Sequence, residues 1–248
     1  MKKQTLALDF KKWEKWQRSL ARIEQELLRL YFARGIFERL YSLANNSQNL
    51  KKCPNDLFLV WSWNCYIVYL GMGMRRLIDR TSNAQNLYQL LEDIRDNACQ
   101  LSVGNYAEYM FKKCHEERIK NSQKATKSEK ELLKESYRKD NCEKAGTIFK
   151  EALDREVQFV RCCDVEEDIK KIEKGPKKGI EKLVDECWAH LGKKKPTAPQ
   201  LRQVHDDLDL LIRIYDKYSL LTAGSKFAPH DEELFDQWDA PFRIAWTE

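Results

Sequence analysis

Trp13, Trp16, Leu20, Ile23, Leu27 and Leu30 follow one another at alternating steps of three and four residues. Only a helix brings such a series onto one face, and two tryptophans on that face must be buried. The spacing predicts a helix from Leu8 to Ala44, bent or broken at Gly35 before Phe37, Leu40, Tyr41 and Ala44 resume the pattern. It either packs along a helical bundle or serves as a dimer arm. The same rhythm returns near the other end, in Leu201, Val204, Leu208, Leu211, Tyr215 and Tyr218. Thr197 is placed to cap that helix, with Pro199 in its opening turn.

Between these two helices the chain gives little reason to form strands. Gly 9 and Pro 6 are few for 248 residues, and no stretch shows a sustained two-residue alternation, so the expected class is all-α. Length allows one large domain, and no linker divides the chain convincingly, so a single domain over 1–248 is expected. The apolar run from Leu57 to Met74 contains Ser62, Asn64, Gly71 and Gly73, and Arg75 and Arg76 follow at once. It is short of the roughly 20 predominantly apolar residues of a membrane span and predicts a helix over 54–80 buried centrally within protein. Gly71 and Gly73 on that helix suggest a second backbone crossing close by. A third helix runs from a cap at Ser82 or Asn83 through Leu101, is stopped by Val103, Gly104 and Asn105, and gives way to another from Tyr106.

Residues 112–144 are dense in Lys, Glu and Asp and poor in apolar residues. Such a stretch is a polar extension, an exposed helical hairpin or a partly disordered segment, with a nucleic-acid arm as the functional alternative. Amphipathic character returns over Ile148–Ile172, until Gly175 and Pro176 punctuate it. The last part, 225–248, carries Phe227, Phe235, Trp238, Phe242 and Trp246, the pattern of an aromatic strap. The N-terminus has lysines but no apolar signal core, which points to a cytoplasmic chain with no membrane association. Eight cysteines, without C-x-x-C pairs or a disulfide framework, fit reduced thiols, and neither a metal nor another cofactor is indicated. Lys+Arg 44 against Asp+Glu 39 leaves a charge of +5, which permits nucleic acid without requiring it.

Chemistry has one place to stand, the stretch 177–218. There a helix ends on Ala189 and His190, and a break containing Lys193, Lys194 and Lys195 precedes the next helix. The lysines are either a solvated loop or phosphate contacts, and His190 either a helix-end histidine or a general base.

The Ala189-His190 pair, the segment Tyr69–Arg80 (YLGMGMRRLIDR) and the tail Phe242–Thr247 (FRIAWT) together resemble HEPN domains of the AbiU-type abortive-infection branch. The resemblance implies a HEPN-like helical bundle that forms a homodimer and, in active members, cleaves RNA without metal. It implies a toxin–antitoxin or anti-phage setting, with RNA, an antitoxin or another defence protein as partner. Active members pair the histidine with an arginine one to two turns earlier. At that interval from His190 stand Leu183, Val184 and Asp185, so the motif arginine is replaced. A carboxylate there repels phosphate and favours protonated imidazole, both against cleavage. Arg75, Arg76 and Arg80 are the candidate cations that could substitute, unless Arg76 or Arg80 pairs with Asp185 or Asp79.

The expectation is therefore an RNA-directed or partner-binding protein with a weakened or absent ribonuclease activity. Its alternatives are an active endoribonuclease built on His190 and an arginine of the central helix, or a non-enzymatic helical adaptor.

Overall fold

A computed structural model describes residues 9–46, 57–80, 86–116, 126–187 and 198–229. The fold is all-α: α1 (Phe10–Asn46), α2 (Leu57–Ile78), α3 (Leu87–Asp96), α4 (Val103–Phe111), α5 (Lys127–Leu153), α6 (Cys162–Lys174), α7 (Pro176–Cys187) and α8 (Ala198–Ala223). Among the described residues the only extended pairing is one antiparallel bridge, Ser102 to Phe159. No described helix is long and apolar enough to cross a membrane. The described residues group into two compact units, one from 9–21, 87–171 and 213–227, the other from 22–86 and 172–212.

In the first unit, Trp13 and Trp16 have no exposed surface. Burial of a side chain of this size contributes about 3 kcal/mol, and two in adjacent turns anchor the start of α1. The Trp13 ring stacks on Tyr109 at 5.1 Å and meets the edge of Tyr106 at 6.0 Å. The indole N–H of Trp16 donates to Asp93 at 3.1 Å. Asp93 also takes Lys12 and Lys15 at 3.4 and 3.0 Å; burial works against its charge, but these donors outweigh burial and hold its carboxyl below the usual range.

Helix α4 begins at Val103, because the Ser102 hydroxyl accepts from the Asn105 N–H and caps it. Val103, Gly104 and Asn105 are thus the first turn of a helix, where the sequence suggests a stop. The break falls earlier, at a 3₁₀ turn over Ala98–Gln100. Helix α4 packs on α5, whose start is fixed by a capping box between Thr126 and Glu129. The described part of the polar extension is accordingly helical. Within its described part only Asn141 is buried, Leu132 and Leu133 lie exposed, and α5 is buried again at Ala145 and Phe149 beyond the extension. Helix α5 ends at Asp154, which adopts the left-handed conformation (φ 51°).

The second unit takes up the rest of α1. Gly35 does not break the helix, since the roughly 1 kcal/mol it costs is outweighed by burial on both sides, Leu30 at 0% and Phe37 at 7% exposure. Phe37 stacks on Tyr66 of α2 at 4.1 Å. Gly73 of α2 is small because the Leu30 side chain of α1 occupies the space a Cβ would need, so a side chain rather than a second backbone makes the close approach. Helix α2 also packs on α7, and Gly179 of α7 similarly lies under the Asp207 carboxylate of α8.

The buried residues of α2 are Tyr66, Ile67, Leu70, Met74, Leu77 and Ile78, all on one side. Phe58, Trp61, Tyr69 and Met72 are exposed, which corrects the expectation of a helix buried all round. The described part of the aromatic C-terminal segment is held at Phe227, whose N–H donates to Asp216 at 2.7 Å and whose ring meets Tyr215 edge-on. Residues 230–248 of the strap, with Phe235, Trp238, Phe242 and Trp246, lie outside the described residues.

Candidate functional site

Within the second unit, three helices bring five polar side chains together. Arg34 and Glu38 stand one turn apart on α1, His205 and Asp209 one turn apart on α8, and Tyr66 faces them from α2. Spacing of i and i+4 places each pair on one helix face. Arg34 Nη1 donates to Asp209 Oδ1 at 2.6 Å, and its Nε lies 3.9 Å from Glu38 Oε1. Burial lowers the Arg34 pKa, but the hydrogen bond and the two carboxylates outweigh it, so the guanidinium is held more firmly charged than usual.

The Tyr66 hydroxyl lies 2.6 Å from His205 Nε2, and His205 Nδ1 lies 3.4 Å from Glu38 Oε1. Burial raises the Tyr66 pKa, with Glu38 adding to it, so the phenol keeps its proton. Burial depresses the His205 pKa and the Arg34 charge adds to that, against opposition from Asp209 and Asp206, so the imidazole is neutral near pH 7. One tautomer then satisfies every group: Tyr66 donates to Nε2, and the ring proton on Nδ1 faces the Glu38 carboxylate. Such an imidazole has its basic nitrogen occupied by Tyr66 and a longer contact to Glu38 at the other. It positions helices and shapes the local field; its basic lone pair is not free to take a substrate proton.

The cluster borders an open cavity of about 500 Å³, lined by Glu38, Tyr41, Ser42, Asn45, Asn46, Arg202 and His205 among others. Phe37 and Leu201 complete the wall and Glu38 sets a carboxylate against the Arg202 guanidinium, so the space combines an apolar surface with polar groups of both signs.

The residues singled out from the sequence fall differently. Arg75 and Arg76 are exposed in the last turn of α2, and Arg80 is exposed in the turn after it. Arg76 Nη1 pairs with Glu26 Oε1 of α1 at 3.3 Å, a different carboxylate from the Asp185 or Asp79 that its sequence position suggests. Asp185 belongs to α7, the helix on which α2 packs. His190, Lys193, Lys194 and Lys195 lie outside the described residues.

No arginine precedes His205 along the chain at the interval that the resembling family uses. Arg34 reaches its surroundings from a helix 171 positions earlier in the chain, and pattern along the chain carries no trace of that meeting. The local signals were Arg34-x-x-x-Glu38 and His205-x-x-x-Asp209, polar pairs on otherwise apolar helix faces. Comparison of the chain with protein-family models, with curated proteins and with solved structures finds no match to any of them.

Proposed function

We propose that the chain is a HEPN-like homodimeric protein of a toxin–antitoxin or anti-phage defence system, one that binds RNA or a partner protein and does not cleave RNA. The observation that carries this reading is the acid at the motif position: Asp185 stands where a cleaving member has its cation. The disposition of Arg76 supports it, since this guanidinium is directed to Glu26. A phosphodiester attacked by its own 2′-hydroxyl needs positive charge on the phosphate as well as a base, and a carboxylate there raises the barrier instead.

One observation favours a second reading, a metal-independent endoribonuclease. Helix α2 packs on α7, the helix that precedes His190 in the chain, and Arg75 of α2 is exposed. In that reading His190 is the base and Arg75, Arg76 or Arg80 the cation. A third reading, a non-enzymatic adaptor working through the extension, is supported by the outward face of α5.

Incubating the purified chain with mixed RNA in chelator, beside His190→Ala, separates these readings. The proposal expects intact RNA from both proteins together with RNA retention that weakens steeply with salt. Cleavage by the native chain that is lost in His190→Ala overturns it in favour of the enzyme. Intact RNA without retention leaves the protein-binding form, and Lys193→Glu then has no effect on any RNA measurement.

A further inference from the structure

The exposed apolar side chains of α2 are arranged symmetrically about one residue. Phe58, Cys65 and Met72 recur at intervals of seven, and Trp61 and Tyr69 stand four residues to either side of Cys65. At about 100° per residue, all five fall within an arc of about 80° on the helix surface. Exposure along this stripe is large: Phe58 40%, Trp61 62%, Tyr69 43% and Met72 43%. Beside it, Phe32, Ile36 and Leu40 of α1 join Cys65 and Tyr69 in lining an open apolar cavity of about 540 Å³.

The four large side chains alone leave on the order of 400 Å² of apolar surface exposed. A monomer seldom keeps a continuous patch beyond a few hundred Å². A standard interface takes about 800 Å² from each partner, so the stripe supplies half and the α1 wall of the cavity extends it. A two-fold axis requires a surface that matches itself, and a pattern symmetric about its own midpoint does so.

We propose that this stripe is the homodimer interface, the α2 helices of two copies packing antiparallel with Cys65 at the two-fold axis. Phe58 of each copy then meets Met72 of the other, a sulfur–aromatic contact, and Trp61 meets Tyr69. Parallel packing would instead set Arg76, which lies on the same arc, against its own counterpart and Trp61 and Tyr69 against theirs, like charge facing like at the end of the stripe. The proposal rests on the homodimer of the reading above for its stoichiometry and on α2 for its geometry.

The test uses the full chain. Light scattering is expected to give twice the 29.4 kDa chain mass. Trp61→Glu is expected to shift the chain to monomer, with the dissociation constant raised at least about tenfold and helical circular dichroism unchanged. Met72→Lys is the second variant, for the case in which Trp61→Glu loses helicity. Mild copper–phenanthroline oxidation is expected to yield a Cys65–Cys65 linked peptide by mass spectrometry, absent from Cys65→Ser. A dimer that survives both stripe variants without a Cys65 link overturns the interface and leaves the homodimer standing. A native chain that stays monomeric, whether its own residues 230–248 or nothing covers the stripe, overturns both.

Discussion

The charge cluster around Asp168 in the first compact unit and the one around His205 in the second are finished differently. In the first, Asp168 of α6 is buried at 3% exposure and accepts from Lys217 at 2.6 Å, from the Tyr218 hydroxyl at 3.1 Å and from Lys171 at 3.1 Å. Burial, then the Asp168 charge and hydrogen bond, keep Tyr218 protonated far above its ordinary range. Every oxygen of that carboxylate is engaged, so the cluster ties helices together and offers nothing to a ligand. In the second, the Arg34, Glu38, Tyr66, His205 and Asp209 cluster is closed by two short hydrogen bonds, Arg34 to Asp209 and Tyr66 to His205, while Glu38 keeps only longer ion-pair contacts and forms part of a cavity wall with His205. Buried charge is a fastening where its valences are closed and a site where one edge stays open.

The sharpest way to break this contrast is to remove the closed hub. Asp168→Ala leaves Lys217 and the Tyr218 hydroxyl without their acceptor and should cost about 3–5 kcal/mol, read as a fall of the urea midpoint and roughly 10 °C in Tm. A loss under about 1 kcal/mol would mean that Asp168 is no fastening. Tyr66→Phe in the open cluster should cost less, about 1 kcal/mol, because only a neutral donor is lost. It should also move the His205 pKa upward in NMR titration, since the hydrogen bond to the neutral ring is gone.

Smaller still is the pH dependence of His205. Its folded pKa lies below the unfolded value of about 6.5, so the contribution is complete above that value and is lost as pH falls through it toward the folded pKa. Stability measured by urea between pH 7.5 and 5 should therefore decline on the acid side, and His205→Gln should flatten the slope. The groups facing the ring are Arg34 and Glu38 from α1, Tyr66 from α2, and Asp206 and Asp209 from α8. Asp164, held down to about 2 first by its hydrogen bond from Arg161 and then by Arg155, titrates below this window, whereas burial raises the carboxyls of Asp207 and Asp216, so the difference between the native chain and His205→Gln is what isolates the histidine. The least effect on stability belongs to Arg202→Ala at the cavity rim, within about 0.5 kcal/mol. If the open edge takes phosphate, that change reduces the salt slope of RNA retention by about one.

The apolar rhythm of α1 and α8 made both helices legible: the residues it named from Trp13 to Leu30 and from Val204 to Tyr218 are buried, but beyond Gly35 only Phe37 is, while Tyr41 is exposed and Leu40, Ala44 and Leu201 are half-buried. Boundaries were less readable where a single side chain decides them. Ser102 starts a helix on residues that look like a stop, and Asp154 ends one without a glycine to announce it. The stripe on α2 was hidden because apolar residues all round a helix do not tell which side the core takes. Of the candidate site, the sequence carries only separate polar pairs, Arg34 with Glu38 and His205 with Asp209. It could not supply the His205 cluster, whose members come from three helices and meet only through packing.

The capping box at Thr126 has a consequence for how this chain can vary. Because α5 is started by its own two end residues and fastened at its far turns by Asn141, Ala145 and Phe149, the outward side of its first half is not needed to hold the helix in place. Replacement there should leave the folded population almost untouched, so charge and shape on that rod can drift or be re-engineered freely, making it the natural place to graft a label or a recognition epitope.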